Sequence, residues 1–388
     1  MLMISANIFF SSLSFSAAIS ALSIMYTSRC ESFDIGSDIT GKPQSVIYYI
    51  ARRLFCPEKA LSFASQEGLC YPNMRQCDNK RGGNIVRLDE LLERLEYEVI
   101  QGSGETKITT LANDSRKVQK GSVFVCISGA VSDGHRFAAD VCAKGVTAIV
   151  VEKDVEVPEH VTVIRVEDTR YALALMSAAY FRYPAEKLKV IGITGTKGKT
   201  TTTYMIRSIL ERVGHKVGLI GTIESIIGSR TIPAANTTPE SFTIHQYFSE
   251  MVKAGCDSVV MEVSSQGLML HRTAGIPFEI GIFTNLGKDH IGPNEHKDFD
   301  DYKRCKAMLF KQCRLGVANV DDPHFEDIFK DATCRAETFG FSGKADLRAE
   351  NVNLVSRPGY LGVAYHVSGL MDFDVEINIP GTLSVYNS

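Results

Sequence analysis

A chain of 388 residues is long enough for two or three domains, and 44% hydrophobic with 22% charged residues is a globular composition that excludes a disordered chain. A formal net charge of -3 with a pI near 6.3 excludes a nucleic-acid binder that works through a basic surface, so any polyanion must be held by a local site. The ten cysteines contain no C-x-x-C pair and read as reduced, cytosolic thiols, which argues against a disulfide scaffold or a zinc site.

Met1 to Tyr26 is apolar and Ser-rich, but it has no basic segment ahead of the apolar run, and Ser and Asn interrupt that run. Neither export nor a membrane span is supported. No helical or strand period persists from Thr27 to Asn84. Arg81-Gly82-Gly83 can be encoded by a purine-rich run resembling a ribosome-binding site, two codons before a Val86 that a GTG start would supply, and VRLDELLERL then reads as a natural beginning. Residues 1–85 are therefore expected to be a non-native, poorly ordered extension; N-terminal sequencing that found a peptide from Met1 to Ile85 would refute this.

Residues 86–186 read as one α/β domain. Asp89 to Tyr97 has the period of a short helix, and Lys107 to Leu111 leads into Asn113-Asp114-Ser115-Arg116. A strand (Val123 to Ile127), a polar turn, a helix (Phe137 to Lys144) and a strand (Ala148 to Glu152) follow.

Residues 187–388 open with the most informative stretch of the chain, IGITGTKGKTTTT from Ile191. The β-branched run Lys189 to Thr194 reads as a buried parallel strand, Thr200 to Val213 as an amphipathic helix closed by Gly214, and Lys216 to Thr222 as a further strand. The turn lies at the carboxyl edge of this βαβ unit, where α/β sheets bind ligands. Gly195 and Gly198 allow a curl in which the N–H groups of Gly195, Thr196, Lys197, Gly198, Lys199, Thr200 and Thr201 surround phosphate oxygens, and the helix adds its positive end. Lys199 would reach the β- and γ-phosphates of ATP and the Thr200 hydroxyl would sit on Mg²⁺. The loop is a variant, since Ile193 stands where the strict pattern has its first Gly.

Further on, Asn236-Thr237-Thr238-Pro239 is a polar loop whose hydroxyls and amide could take a sugar, a carboxylate or a phosphate. Asp257 to Val263 is an apolar strand that delivers Glu262 to its carboxyl end, suited to Mg²⁺, with Ser264 and Ser265 next. Phe278 to Thr284 is another strand and leads to His290. Tyr302 to Phe310 reads as a helix on which Lys306 either enters the cleft or stays on the surface; the apolar pattern alone favours the surface. After a strand from Leu315 to Val320, Ala345 to Ile379 alternates as antiparallel strands do.

Thr194 to Thr201, T-G-T-K-G-K-T-T, resembles the loop of the Mur ligases and folylpolyglutamate synthetases, which form amide bonds with ATP. DSRKVQKGSVFVCISGAVSDGHRF, Asp114 to Phe137, resembles the UDP-binding domain of the Mur ligases that add the third residue and the terminal dipeptide. EVSSQGL with His271-Arg272, FTNLGKDHIG, and Y-x-x-x-K-x-x-L-F stand in the order and spacing of the MurE-type branch. The resemblance runs from about Arg87 to the end, with Gln266 where many MurE-type enzymes have His.

The resemblance implies an α/β fold, with an N-terminal UDP-binding domain followed by a P-loop domain of mainly parallel sheet and an antiparallel C-terminal subsheet. It implies a cytoplasmic, monomeric enzyme that adds a diamino acid to UDP-N-acetylmuramoyl-L-alanyl-D-glutamate in peptidoglycan synthesis, through an acyl phosphate, with ATP and Mg²⁺ and without nucleic acid or membrane as partner. Thr200, Glu262, His290 and a carbamylated Lys306 would hold metal, with Lys199 on the transferring phosphoryl group. Ser115 would contact UDP, and Asn236, Thr237, Thr238, Ser264 and Arg272 the muramoyl-dipeptide. Asp114 and Arg116 read equally well as a structural pair. In the family P-G-x-x-x-V-Y-N closes the central domain and a third domain follows, so the chain is expected to be a fragment with little turnover. The style of EVSSQGL and HIGPNEHKDF favours meso-diaminopimelate over L-lysine. Competing readings are another Mur-type amide ligase and a non-catalytic module that binds UDP-sugar or nucleotide.

Overall fold

The computed structural model describes residues 85–388 apart from Ala130, Val131 and Asn294. The expectation for the N-terminal extension lies outside the described residues, Ile85 excepted.

The first part is built on a five-stranded sheet in the order β1-β5-β4-β3-β2, with β1 Glu98–Gln101, β2 Thr110–Ala112, β3 Ser122–Val125, β4 Ala148–Val151 and β5 Thr162–Arg165. All neighbours are parallel except the edge pair β1/β5. β3 and β4 read as unbroken apolar runs because both faces are covered: Val123, Val125, Ala148 and Val150 point to one core, Phe124 and Ile149 to the other. The helix expected from Asp89 to Tyr97 is shorter, Leu88–Leu92. Its buried Leu88, Leu91 and Leu92 exhaust the apolar face, and Glu98 beyond it already pairs with Arg165 of β5. Helix α1 (Thr169–Tyr180) is capped by Asp168, which accepts from the Tyr171 N–H at 2.8 Å.

The second part carries an eleven-stranded sheet. Its members are β6 Lys189–Thr194, β7 Val217–Ile220, β8 Glu224–Ile227, β9 Arg230–Pro233, β10 Ser258–Glu262, β11 Phe278–Phe283, β12 Cys313–Asn319, β13 Arg335–Gly340, β14 Leu347–Arg357, β15 Tyr360–Gly369 and β16 Phe373–Ile377. The order is β9-β8-β7-β10-β6-β11-β12-β13-β14-β15-β16. From β7 across to β14 every pairing is parallel, and antiparallel strands finish both edges. The expected antiparallel subsheet is the β14–β16 edge.

β6 is buried on both faces. Ile191 and Ile193 pack with Met205, Ile206 and Leu210 of helix α2 (Lys199–Arg212), and Val190 packs with Ile244, Phe248 and Met251 of helix α3 (Ser241–Lys253). Gly192 has no room for a side chain, since a Cβ there would stand 2.7 Å from the Phe278 ring. The chain moves from β6 to β7 and β10 on one side, then crosses to β11 on the other. That reversal leaves a crevice at the carboxyl ends of β6, β10 and β11.

Candidate functional site

The loop after β6 lies in this crevice. Gly195 (φ +149°) and Gly198 (φ +87°) both occupy backbone regions that favour glycine. A Cβ on Gly195 would collide with the Thr284 hydroxyl, and one on Gly198 with the Asn387 side chain. The end of β11 braces the loop from behind. The Thr196 N–H donates to the Asn285 carbonyl (2.8 Å), the Lys197 N–H to Asn285 Oδ1 (2.9 Å), and the Thr284 hydroxyl to the Lys197 carbonyl (2.7 Å). Sequence reasoning passed over Thr284 and Asn285; their signal was a polar pair at the end of an apolar strand. Lys197 is exposed, Thr201 is half-buried, and α2 begins at Lys199 with its positive end on the loop.

Two lysines converge on one oxygen. Lys199 Nζ donates to the carbonyls of Gly195 (2.9 Å) and Thr196 (3.2 Å), and Lys306 Nζ donates to the same Gly195 carbonyl at 2.9 Å. Lys306 is 1% exposed, so the surface placement favoured by the apolar pattern is corrected. The physical reason is that helix α4 (Phe299–Ala307) turns Tyr302, Cys305 and Lys306 inward together, and the ammonium finds both a carbonyl and a ring face. Lys306 Nζ stands 4.5 Å from the Tyr302 ring centroid, and the Tyr302 hydroxyl is 3.0 Å from Thr196 Oγ1. Burial, helped by the neighbouring Lys199 charge, holds the Lys306 amine well below its ordinary pKa, with Asp289 opposing. Burial also lowers Lys199, opposed by Glu262 and Asp289.

Glu262 ends β10 and is 1% exposed. Its carboxylate accepts from the Thr200 hydroxyl (3.0 Å), the Thr222 hydroxyl (3.0 Å) and the Thr222 N–H (2.9 Å). The oxygens of Thr200 and Glu262 form a hard donor pair that fits Mg²⁺. Thr222 was not foreseen as part of the site, although it stands just past the carboxyl end of β7. Its hydroxyl also lies 3.1 Å from that of Thr237.

Thr238 is buried, donating to the Glu262 carbonyl (3.0 Å) and accepting from the Ser264 N–H (2.9 Å). Arg272 ties the same loop down through the Thr238 carbonyl (3.0 Å) and Glu240 (2.6 Å), while Asn236 is exposed. Ser264 Oγ accepts from the Gly267 N–H at 3.0 Å.

His290 is not at a strand end in the geometric sense. It sits well past β11 at φ +54°, half exposed, with Nδ1 3.1 Å from Glu295 and its ring 6.0 Å from that of Tyr302. Its side-chain ion-pair partners among the described residues are Glu295 and Asp289. Glu262 and the two lysines are thus gathered round one loop, and the His290 side chain is not hydrogen-bonded into that group. In the first part of the chain, Ser115 lies just past the end of β2, and its carbonyl accepts from Lys144 Nζ at 2.7 Å. Arg116 makes a two-pronged pair with Asp114 (2.9 Å each), which holds that carboxyl near 2.

A family model described as Mur ligase middle domain matches residues 193–388, and one described as Mur ligase family, catalytic domain, matches residues 107–181. The chain is 44% identical over 306 residues to a UDP-N-acetylmuramoyl-L-alanyl-D-glutamate--2,6-diaminopimelate ligase of Clostridium perfringens. It is 46% identical over 303 residues to the protein of that name numbered 1 in Clostridium acetobutylicum. Each match covers 78% of this chain and 62% of the relative, so the chain spans about 62% of the length of these curated relatives. A solved structure of a ligase with the same name superposes with a TM-score of 0.67 at 24% identity, covering 78% of this chain and 62% of that one. MurF from Acinetobacter baumannii superposes at 0.51 and 21% identity, over 78% and 63% of the two chains. Both likenesses speak to the fold.

Proposed function

We propose that this chain, which belongs to the Mur ligase family, carries the ATP and UDP-sugar sites of an enzyme that joins 2,6-diaminopimelate to UDP-N-acetylmuramoyl-L-alanyl-D-glutamate. The observation that carries the reading is the meeting of Lys199 and Lys306 on the Gly195 carbonyl, with Glu262 fastened to Thr200 at the adjacent strand end. The names of the relatives support the substrate class.

In this reading the γ-carboxylate of the D-Glu residue attacks the γ-phosphorus of ATP and ADP leaves, and the diamino acid's amine then attacks the acyl phosphate, expelling phosphate and giving up a proton as the amide forms. Such chemistry asks for positioning and charge stabilisation more than for a protein nucleophile. The N–H groups at the start of α2 would bind the phosphates, those of Thr196 and Lys197 being engaged by Asn285 rather than turned to the phosphates as the sequence suggests, and Lys199 would leave its two carbonyls to stabilise charge on the group in transfer. Thr200 and Glu262 would hold Mg²⁺, which when bound neutralises phosphate charge so that two anions can approach. Lys306, kept towards its neutral form by burial, is suited to take up CO₂ as a carbamate and so to present an anion in place of an amine. His290 would join from its loop by turning away from Glu295. Asn236, Thr237, Ser264 and Arg272 would line the peptidyl-sugar side, with Thr238, expected among them, buried and holding their loop through Glu262 and Ser264 instead, and Ser115 the UDP side.

Calorimetry of the chain with Mg·ADP and with the UDP-muramoyl-dipeptide tests both sites, and an ADP-release assay with diaminopimelate or L-lysine tests the reaction. Binding of both ligands is expected, with diaminopimelate as the preferred amine wherever turnover is seen. A chain that bound neither ligand would overturn the reading.

A further inference from the structure

His296 lies in the segment between β11 and α4 and has no part in the ligase reading, on which the following rests. Its ring is fully buried. Nδ1 is 3.1 Å from Oδ2 of Asp301 in the first turn of α4, and the other oxygen of that carboxylate is held by Arg304 at 2.6 Å. A carboxylate only accepts, so Nδ1 is the donor of this bond; Nε2 has no hydrogen-bond partner among the described residues.

The ligating atoms of His296, Asp301 and Cys305 lie within 4.8 Å of one another, an arrangement that invites a cation. The Arg304 guanidinium on Asp301 argues against one, because a metal there would face a fixed positive charge. The contacts of His296 instead lead towards the phosphate loop. Its ring meets the Tyr302 ring at 5.2 Å between centroids and 61° between planes. Tyr302 in turn bonds Thr196 and lies beneath the Lys306 ammonium. The main chain of His296 closes the loop that bears His290: its N–H donates to the His290 carbonyl (3.1 Å), and its carbonyl accepts from the Gly292 N–H (3.3 Å).

We infer that His296 is a positioning residue for the metal-dependent part of nucleotide binding: its ring, packed against that of Tyr302, fixes Tyr302, while its backbone fixes the His290 loop. It touches neither nucleotide nor metal. Its influence passes through Tyr302 to Thr196 and Lys306, so it belongs to the class of outer partners whose loss weakens metal sites without removing a ligand.

The test is calorimetry of ADP binding to the 388-residue chain, once with Mg²⁺ and once with EDTA, for the wild type and two variants, with thermal unfolding alongside. His296→Phe keeps a ring against Tyr302 and loses the Asp301 bond. His296→Asn keeps a donor for Asp301 and loses the ring; His296→Gln replaces it should it fail to fold. The Asn or Gln variant is expected to lose about tenfold of the affinity gained on adding Mg²⁺, with affinity in EDTA within about twofold of wild type, and Phe to keep most of the gain. A gain that survives in Asn or Gln, or one that falls equally in Phe and Asn in step with their stability, would overturn the inference while leaving the ligase reading intact. A wild type that bound no ADP in either buffer would sink the ligase reading, and this inference with it.

Discussion

Replacing Glu262 separates a structural role from a ligand role. Its carboxylate is buried and takes three donors: the N–H and hydroxyl of Thr222 and the hydroxyl of Thr200. Glu262→Ala strands all three, at roughly 1–3 kcal/mol for a donor that stays buried and unpaired. Thr222 is exposed and Thr200 half-buried, so their hydroxyls can turn to water, and the sum is discounted to about 3 kcal/mol. Glu262→Gln keeps acceptor oxygen at one position, and its amide can donate to a threonine hydroxyl that rotates, so its cost should be about 1 kcal/mol. Both variants lose the charge that a metal needs. Urea unfolding reads the stability, and ADP calorimetry with and without Mg²⁺ reads the site. The expected pattern is a large stability loss in Ala, a small one in Gln, and loss of the Mg²⁺-dependent gain in both. An Ala variant as stable as the Gln variant would show that these hydrogen bonds are replaced by water without cost, and would refute the reasoning.

Gly195→Ala should cost about 1–3 kcal/mol and abolish measurable nucleotide binding, because its backbone is at φ +149° and its Cβ would run into Thr284; circular dichroism melts and calorimetry check it. Arg272→Ala frees the Thr238 carbonyl and Glu240, and should weaken the UDP-muramoyl-dipeptide about tenfold while leaving ADP affinity near wild type, read by calorimetry with each ligand. His245 of α3 is fully buried with both ring nitrogens unpartnered among the described residues, and burial lowers its pKa to about 3. In acid the unfolded chain therefore binds a proton that the folded chain refuses, so stability falls as pH drops below about 6.5, by about 2 kcal/mol between pH 7 and pH 5. His245→Leu should remove that share of the slope in urea titrations; an unchanged slope would refute it.

What the sequence made legible was whatever depends on near neighbours. KVIGIT reads as a doubly buried strand because its own alternation fills two cores, and the observed β6 has the same ends. The antiparallel edge was legible for the same reason, its period of two being a property of Ala345 to Ile379 alone. Lys306 was misread from pattern because its burial is decided by a carbonyl 111 residues earlier in the chain. Thr222, Thr284 and Asn285 escaped notice because a threonine or asparagine after a strand is ordinary until the partner across the crevice is known. His290 had the right company in sequence, but its place depends on a loop whose closure runs through the backbone of His296.

The oxygen of Gly195 accepts from Lys199 and Lys306 at once, and in the proposed reading this would set the terms on which a triphosphate enters. Docking there would be an exchange rather than an addition: each contact a phosphate made with Lys199 would displace one the lysine already has. A modest measured affinity for nucleotide would therefore reflect a well-occupied cradle, not a poor one, and the same swap would make the heat of binding small even where the grip is firm.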